Sequence, residues 1–105
     1  MSLNELKPKT RELVERFSKI EPKRWSIEGS TMELMTEVGD LTELILRKEY
    51  YKRNIHEDID YQIRDELADI IFILVRLADS YNIDLDAAYD EMEKQLNERL
   101  IGRGV

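Results

Sequence analysis

The chain of 105 residues contains no cysteine. That absence excludes disulfides, thiol nucleophiles, zinc–thiolate centres and iron–sulfur clusters. His56 is the single histidine, so neither a histidine-based metal site nor a Ser/His/Asp triad is expected. The longest uninterrupted apolar run, Ile70 to Val75, falls far short of the ~20 residues that span a bilayer. No charged-apolar-small pattern at the start suggests a signal peptide. Positive charge is also scarce: 16 Lys and Arg face 23 Asp and Glu, which leaves −7. With a pI near 4.8, a nucleic-acid backbone or an anionic membrane is a poor partner. Together these absences predict a reduced, soluble, cytoplasmic protein that binds neither nucleic acid nor membrane.

Glycine and proline are few as well, at four and two residues. They cut the chain into long pieces, and within those pieces apolar residues recur at helical rather than alternating spacing. The length allows one domain, residues 1–105, and 42% apolar residues suffice for a core beneath a heavily ionic surface. A first helix is predicted from about Ser2 to Ile20. Ser2 and Glu5 have capping-box spacing, Pro8 falls in the first turns, Leu13, Phe17 and Ile20 form the apolar stripe, and Pro22 ends the helix. Ser30 and Glu33 suggest a second capping box, opening a helix that reaches towards Lys52 with Leu34, Val38, Leu41 and Ile45 inward. Gly39, mid-helix, marks close approach of a neighbour. Residues 53–60 form a reversal, and Tyr50, Tyr51 and His56 belong to that end as packing and loop residues.

A third helix is expected from Tyr61 to Tyr81, and its centre, I-I-F-I-L-V, is apolar on every side. Such a helix needs neighbours all round, more than three short helices of one chain supply, so a homo-oligomer follows, most simply a two-fold dimer. Asn82 to Asp84 makes a turn and cap, the last helix runs from Leu85 to Leu100, and the tail I-G-R-G-V frays. The predicted class is all-α: a four-helix bundle-type chain that assembles into a homodimer or homotetramer.

Carboxylates carry the chemistry. Glu37 and Asp40 share a face of the second helix, and Glu66 and Asp69 share a face of the third. Asp40 lies about 12 residues, or ~18 Å, before the end of its helix, and Glu66 lies about 9 residues, or ~13 Å, after the start of the next. The two pairs should therefore lie nearly level on antiparallel helices. Either pair alone reads first as a solvated helix face; it is the matched heights of the two pairs, inside the most apolar helices, that bring a metal site level with that reading. Four carboxylates converging beside apolar stripes repel one another unless something neutralises them. An all-oxygen cluster suits a hard divalent cation, Mg²⁺ or Mn²⁺.

The run E-V-G-D-L-T-E-L (Glu37 to Leu44) and, across a spacer, E-L-A-D-I-I (Glu66 to Ile71) resemble the paired E-x-x-E and E-x-x-D motifs of the all-α nucleotide pyrophosphohydrolases. These are the MazG-like proteins and their relatives among dCTP pyrophosphatases and dimeric dUTPases. The preceding R-W (Arg24, Trp25) and the following N-I-D-L (Asn82 to Leu85) strengthen the likeness, which covers residues 24 to 100. The resemblance implies a dimerising bundle that binds Mg²⁺ through Glu37, Asp40, Glu66 and Asp69. It also implies hydrolysis of a nucleoside triphosphate, often a noncanonical one, to monophosphate and pyrophosphate. Asp40 stands where the motif has Glu, one methylene shorter, and Glu33 lies one turn earlier as a supplementary acid.

Glu37 is the candidate general base, ahead of Glu33. Lys94 and Asn97 on the last helix, with Arg99 nearby, and Arg76 on the third are the candidate phosphate contacts, and Trp25 is a candidate stacking partner for the base. Met32, Met35 and Met92 read as core fillers. Phe72 and Ile73 occupy a stretch where some relatives have a sugar-contacting tyrosine. Two alternatives stand beside this reading. Phosphoribosyl-ATP pyrophosphohydrolase belongs to the same superfamily. A non-catalytic helical interaction module would retain the scaffold without the chemistry.

Overall fold

The computed structural model describes residues 2–22, 25–51 and 58–105. Arg24, Lys52 and residues 53–57, including His56, lie outside the described residues. Four α-helices follow in order: α1, Leu6–Ser18; α2, Ile27–Leu46; α3, Ile59–Ser80; and α4, Leu85–Gly102. A π-helical turn, Arg47–Tyr51, continues α2. Among the described residues there is no strand, and no helix is long and apolar enough to cross a membrane.

The α1 helix starts at Leu6, four residues after the expected Ser2, with Glu5 at the cap position. Ser2 Oγ accepts from the Glu5 N–H at 3.2 Å, and Pro8 falls in the first turn, where its missing N–H costs little. The helix ends at Ser18, before Pro22, with the Glu21 N–H closing on the Phe17 carbonyl at 2.8 Å. The buried side of α1 is Thr10 and Val14, however, while Leu13, Phe17 and Ile20 of the expected stripe stay exposed.

The α2 helix starts a turn earlier than expected. Ser26, extended, is the cap, and its hydroxyl accepts from the Gly29 N–H at 3.0 Å. Ser30 is instead buried inside the helix. The inward face is also rotated. Ser30, Glu33, Leu34, Glu37, Leu41 and Leu44 are covered at least in part, whereas Val38 and Ile45 are exposed with Met32 and Met35. A Cβ added at Gly39 would meet nothing within 4 Å, so no close neighbour among the described residues explains that glycine.

The α2 and α3 helices form the main packed pair, and α1 lies against α3. Contacts run in opposite order along the pair, from Lys48 with Asp60, through Glu37 and Asp40 with Glu66, to Trp25 with Phe72. The helices are therefore antiparallel. Ile59, Ile73, Val75 and Ala78 of α3 and Val14 of α1 are the buried apolar residues. Arg11 grips Asp79 through both carboxylate oxygens, at 3.0 and 2.5 Å, fastening α1 to α3. That guanidinium holds the Asp79 carboxyl below its ordinary value.

The α3 helix ends on Asn82, at φ 53, with the Ile83 N–H reaching the Ala78 carbonyl at 2.9 Å, a Schellman-type closure. Asp84 then caps α4 by accepting from the Ala87 N–H at 3.0 Å. The base of α4 is tied to the segment before α1. Asp86 accepts from the Leu3 and Asn4 N–H groups, and the Asn4 side chain bridges Asp84 and the Leu85 N–H. Beyond that clasp α4 buries nothing, so it does not close a bundle with the other helices of the chain. At its end the Val105 N–H returns to the Leu100 carbonyl at 3.0 Å. The projecting helix gives a radius of gyration of 17.1 Å, against ~13 Å for a compact chain of this length.

Candidate metal centre and flanking cavities

Two helical turns of α2 and two of α3 bring five acids together. One carboxylate oxygen from each of Glu37, Asp40 and Glu66 lies within 4.8 Å of the others. Asp69 stands outside this trio but beside it, lining a cavity with Glu33 and Glu37, and its charge bears on Glu37. The spacing that puts Glu37 on the α3 side of α2 also puts Glu33 there, one turn back.

Glu37 is the electrostatic centre of the group. Its carboxyl is pushed up from 4.5 to about 8, first by sharing a proton with Glu66, then by burial, by Glu33, and by the charges of Glu66 and Asp69. Glu66 Oε2 is buried and has no hydrogen-bond partner among the described residues. A buried carboxylate oxygen without a hydrogen-bond partner among the described residues, set among like charges, is unfavourable as it stands. The donor set is all-oxygen and anionic, which fits Mg²⁺ or Mn²⁺ and does not fit a soft ion.

A cavity opens on each side of the acids. The first, about 280 Å³, has an aromatic wall of Phe17, Trp25 and Phe72, with Ile73 behind and Glu33, Glu37 and Asp69 at its edge. Trp25 stacks on Phe17 with centroids 5.3 Å apart and meets the edge of Phe72 at 5.6 Å. One indole face is thus taken by protein, and Trp25 serves both as the packed entry to α2 and as cavity wall. The second cavity, about 310 Å³, is polar and includes Asp40, Glu66, Asp65, Glu43, Gln62 and Arg47.

The other candidates fall elsewhere. Arg76 donates to the Trp25 carbonyl at 2.9 Å and to Ser80 Oγ, so it holds the α2 entry against α3 and does not line either cavity. Lys94 and Asn97 are exposed on α4, and neither lines the cavities beside the acids. Phe17 and Arg47 escaped the sequence reading. Phe17 read as part of a packing stripe, whereas Arg47, seven residues after Asp40 and so on the same helical side, was signalled by spacing. Comparisons with protein-family models, curated proteins and solved structures return no match.

Proposed function

We propose that the chain is a Mg²⁺-dependent pyrophosphohydrolase that converts a nucleoside triphosphate, a deoxynucleotide or noncanonical one, to its monophosphate and pyrophosphate. The observation that carries this reading is the convergence of Glu37, Asp40 and Glu66 within 4.8 Å across two antiparallel helices, next to an aromatic cavity. The motif resemblance supports the same chemistry. Glu37, Asp40, Glu66 and Asp69 are the residues that would hold the ion. When bound, Mg²⁺ neutralises phosphate charge and makes water more acidic.

Glu37, at the middle of the acids, is assigned to take the proton from that water. The water oxygen then bonds to the α-phosphorus as the bond to the bridging oxygen breaks, and the electron pair leaves with pyrophosphate. The wall of Phe17, Trp25 and Phe72 offers apolar ring surface to a base beside the acids.

The working unit in this reading is a homo-oligomer. The single chain exposes 8357 Å², roughly 2,200 Å² more than a compact 12.5 kDa monomer would. A standard interface covers only ~800 Å² per partner. The excess is apolar in several places: Leu67, Ile71 and Leu74 on α3, and Tyr89, Met92, Leu96 and Leu100 on α4. In such an assembly Lys94 and Asn97 of a second copy are the candidates for reaching the phosphates.

The test is purified protein with Mg²⁺ and a panel of triphosphates, with products followed by phosphorus NMR. Monophosphate plus pyrophosphate is expected, and phosphoribosyl-ATP included in the panel separates the related activity. Glu66→Ala and Asp69→Ala should each abolish turnover while circular dichroism stays helical. Unaltered turnover in both would sink the assignment, and Mn²⁺ binding without any hydrolysis would favour the non-catalytic module.

A further inference from the structure

A polyphosphate needs a cation beyond the metal, and within the chain the residues first considered for that role do not face the acids. Arg47 does. It lines the polar cavity with Asp40 and Glu66, two of the three acids whose oxygens converge. Glu37, the third, opens on the opposite, aromatic cavity. The acids therefore separate two unlike chambers, one walled by rings and one in which the Arg47 guanidinium lies among the carboxylates of Asp40, Glu43, Asp65 and Glu66.

The size of the chambers matters. Each is near ~300 Å³, the lower edge of ordinary ligand cavities. A nucleoside triphosphate would have to use both, and it too is two-ended, a flat base at one end and anionic phosphates at the other.

The backbone positions Arg47 for this. The α-helix stops at Leu46, and Arg47 begins the π-helical turn. Wide turns of this kind recur at functional sites because they re-aim side chains. Here Leu44, Arg47 and Lys48 are all partly covered on the side of α3, and Lys48 fixes the turn by donating to Asp60. Arg47 Nη2 donates to Glu43 Oε1 at 2.6 Å, a pairing that half-orders the side chain. The guanidinium carries five donors, and among the described residues this contact uses one, which leaves a planar edge for a bidentate phosphate contact.

We infer that Arg47 binds the terminal phosphates of the substrate, and so sets the direction in which a nucleoside triphosphate lies across the acids. The base enters the cavity of Phe17, Trp25 and Phe72, and the pyrophosphate end lies beside Arg47. This rests on the pyrophosphohydrolase reading and deepens it by assigning the leaving-group subsite.

The experiment compares Arg47→Ala and Arg47→Lys with the wild-type protein. Inorganic pyrophosphate titrated calorimetrically into Mg²⁺-loaded protein should bind about 10–100-fold more weakly to Arg47→Ala, the loss expected for charge-assisted hydrogen bonds. Arg47→Lys should recover part of that loss, and Mn²⁺ affinity of the phosphate-free protein should not change. The KM for the best triphosphate should rise by a similar factor, while inhibition by the corresponding monophosphate stays the same. Equal pyrophosphate affinity in wild type and Arg47→Ala overturns the assignment. Weakened monophosphate inhibition with pyrophosphate binding intact overturns the direction. The pyrophosphate titration decides Arg47 even if no triphosphate is hydrolysed, an outcome that would count against the enzymatic reading instead.

Discussion

Glu37→Gln should make the metal-free protein more stable at alkaline pH, which is the reverse of what removing a partnered carboxylate usually does. The Glu37 carboxyl is raised from 4.5 to about 8 by Glu66, burial, Glu33 and Asp69. Between those two values the folded chain keeps a proton that the unfolded chain has released. Stability therefore falls as pH rises through that window and levels off above it. At ~1.4 kcal/mol for each pH unit, the full window would cost about 5 kcal/mol. The acids are only partly covered, and solvent screening brings the expected loss down to ~1–2 kcal/mol. Glutamine cannot ionise, so the variant should escape that loss. Urea unfolding of both proteins at ~pH 5 and ~pH 9 measures it as a difference, which cancels the repulsion common to all other acids. Mn²⁺ added at the higher pH should restore the wild type and do much less for the variant. Parallel curves for the two proteins across the whole range would refute the argument, because Glu37 would then not be the residue on which the repulsion falls.

The packing makes further predictions. Val75 is 1% exposed, so Val75→Ala should cost about 2 kcal/mol in urea unfolding, against near neutrality for a change at exposed Met35. Ser26→Ala removes the α2 cap and should cost ~1 kcal/mol by the same measurement, with Ser26→Asp close to wild type. Ile71→Glu, placed on the exposed apolar side of α3, should sediment as a 12.5 kDa monomer that is still helical, while the wild type sediments at a multiple of that mass. A wild type that stays at the monomer mass at every concentration would remove the case for assembly.

The helical class was legible because it depends on local chemistry, with few breakers and apolar residues three and four apart. The level placement of the acids was legible too, since rise per residue is a constant of the helix and needs no knowledge of the partner. Which side of α2 faces α3 was not. That helix carries apolar residues on two adjacent sides, Leu34 with Leu41 and Val38 with Ile45, and the spacing predicts all four inward. The structure turns only the Leu34 side inward, together with Glu33 and Glu37, and leaves Val38 and Ile45 exposed, because the spacing of a broad apolar face does not fix its rotation against a partner helix. The cap was misplaced for a related reason. Ser30 has the acid three residues on, but a small residue was wanted inside the helix, where Ser30 is buried, and Ser26 took the capping role. In α4 the apolar repeat is plain, yet sequence spacing alone does not say whether its cover comes from the same chain.

The π-helical turn at Arg47–Tyr51 has a bearing on how such a chain tolerates change in length. In a regular helix one extra residue swings everything beyond it through ~100° and carries it forward ~1.5 Å. A turn that closes one residue wider takes up that residue locally, so the helix before it keeps its facing. Glu37 and Asp40 lie upstream of the turn and Glu66 and Asp69 beyond the reversal, which isolates both pairs from insertions between them. The connecting stretch can thus vary while the four acids hold their mutual register. Counting residues between the two acidic pairs is for that reason a weaker guide to kinship than the positions of the pairs on their own helices.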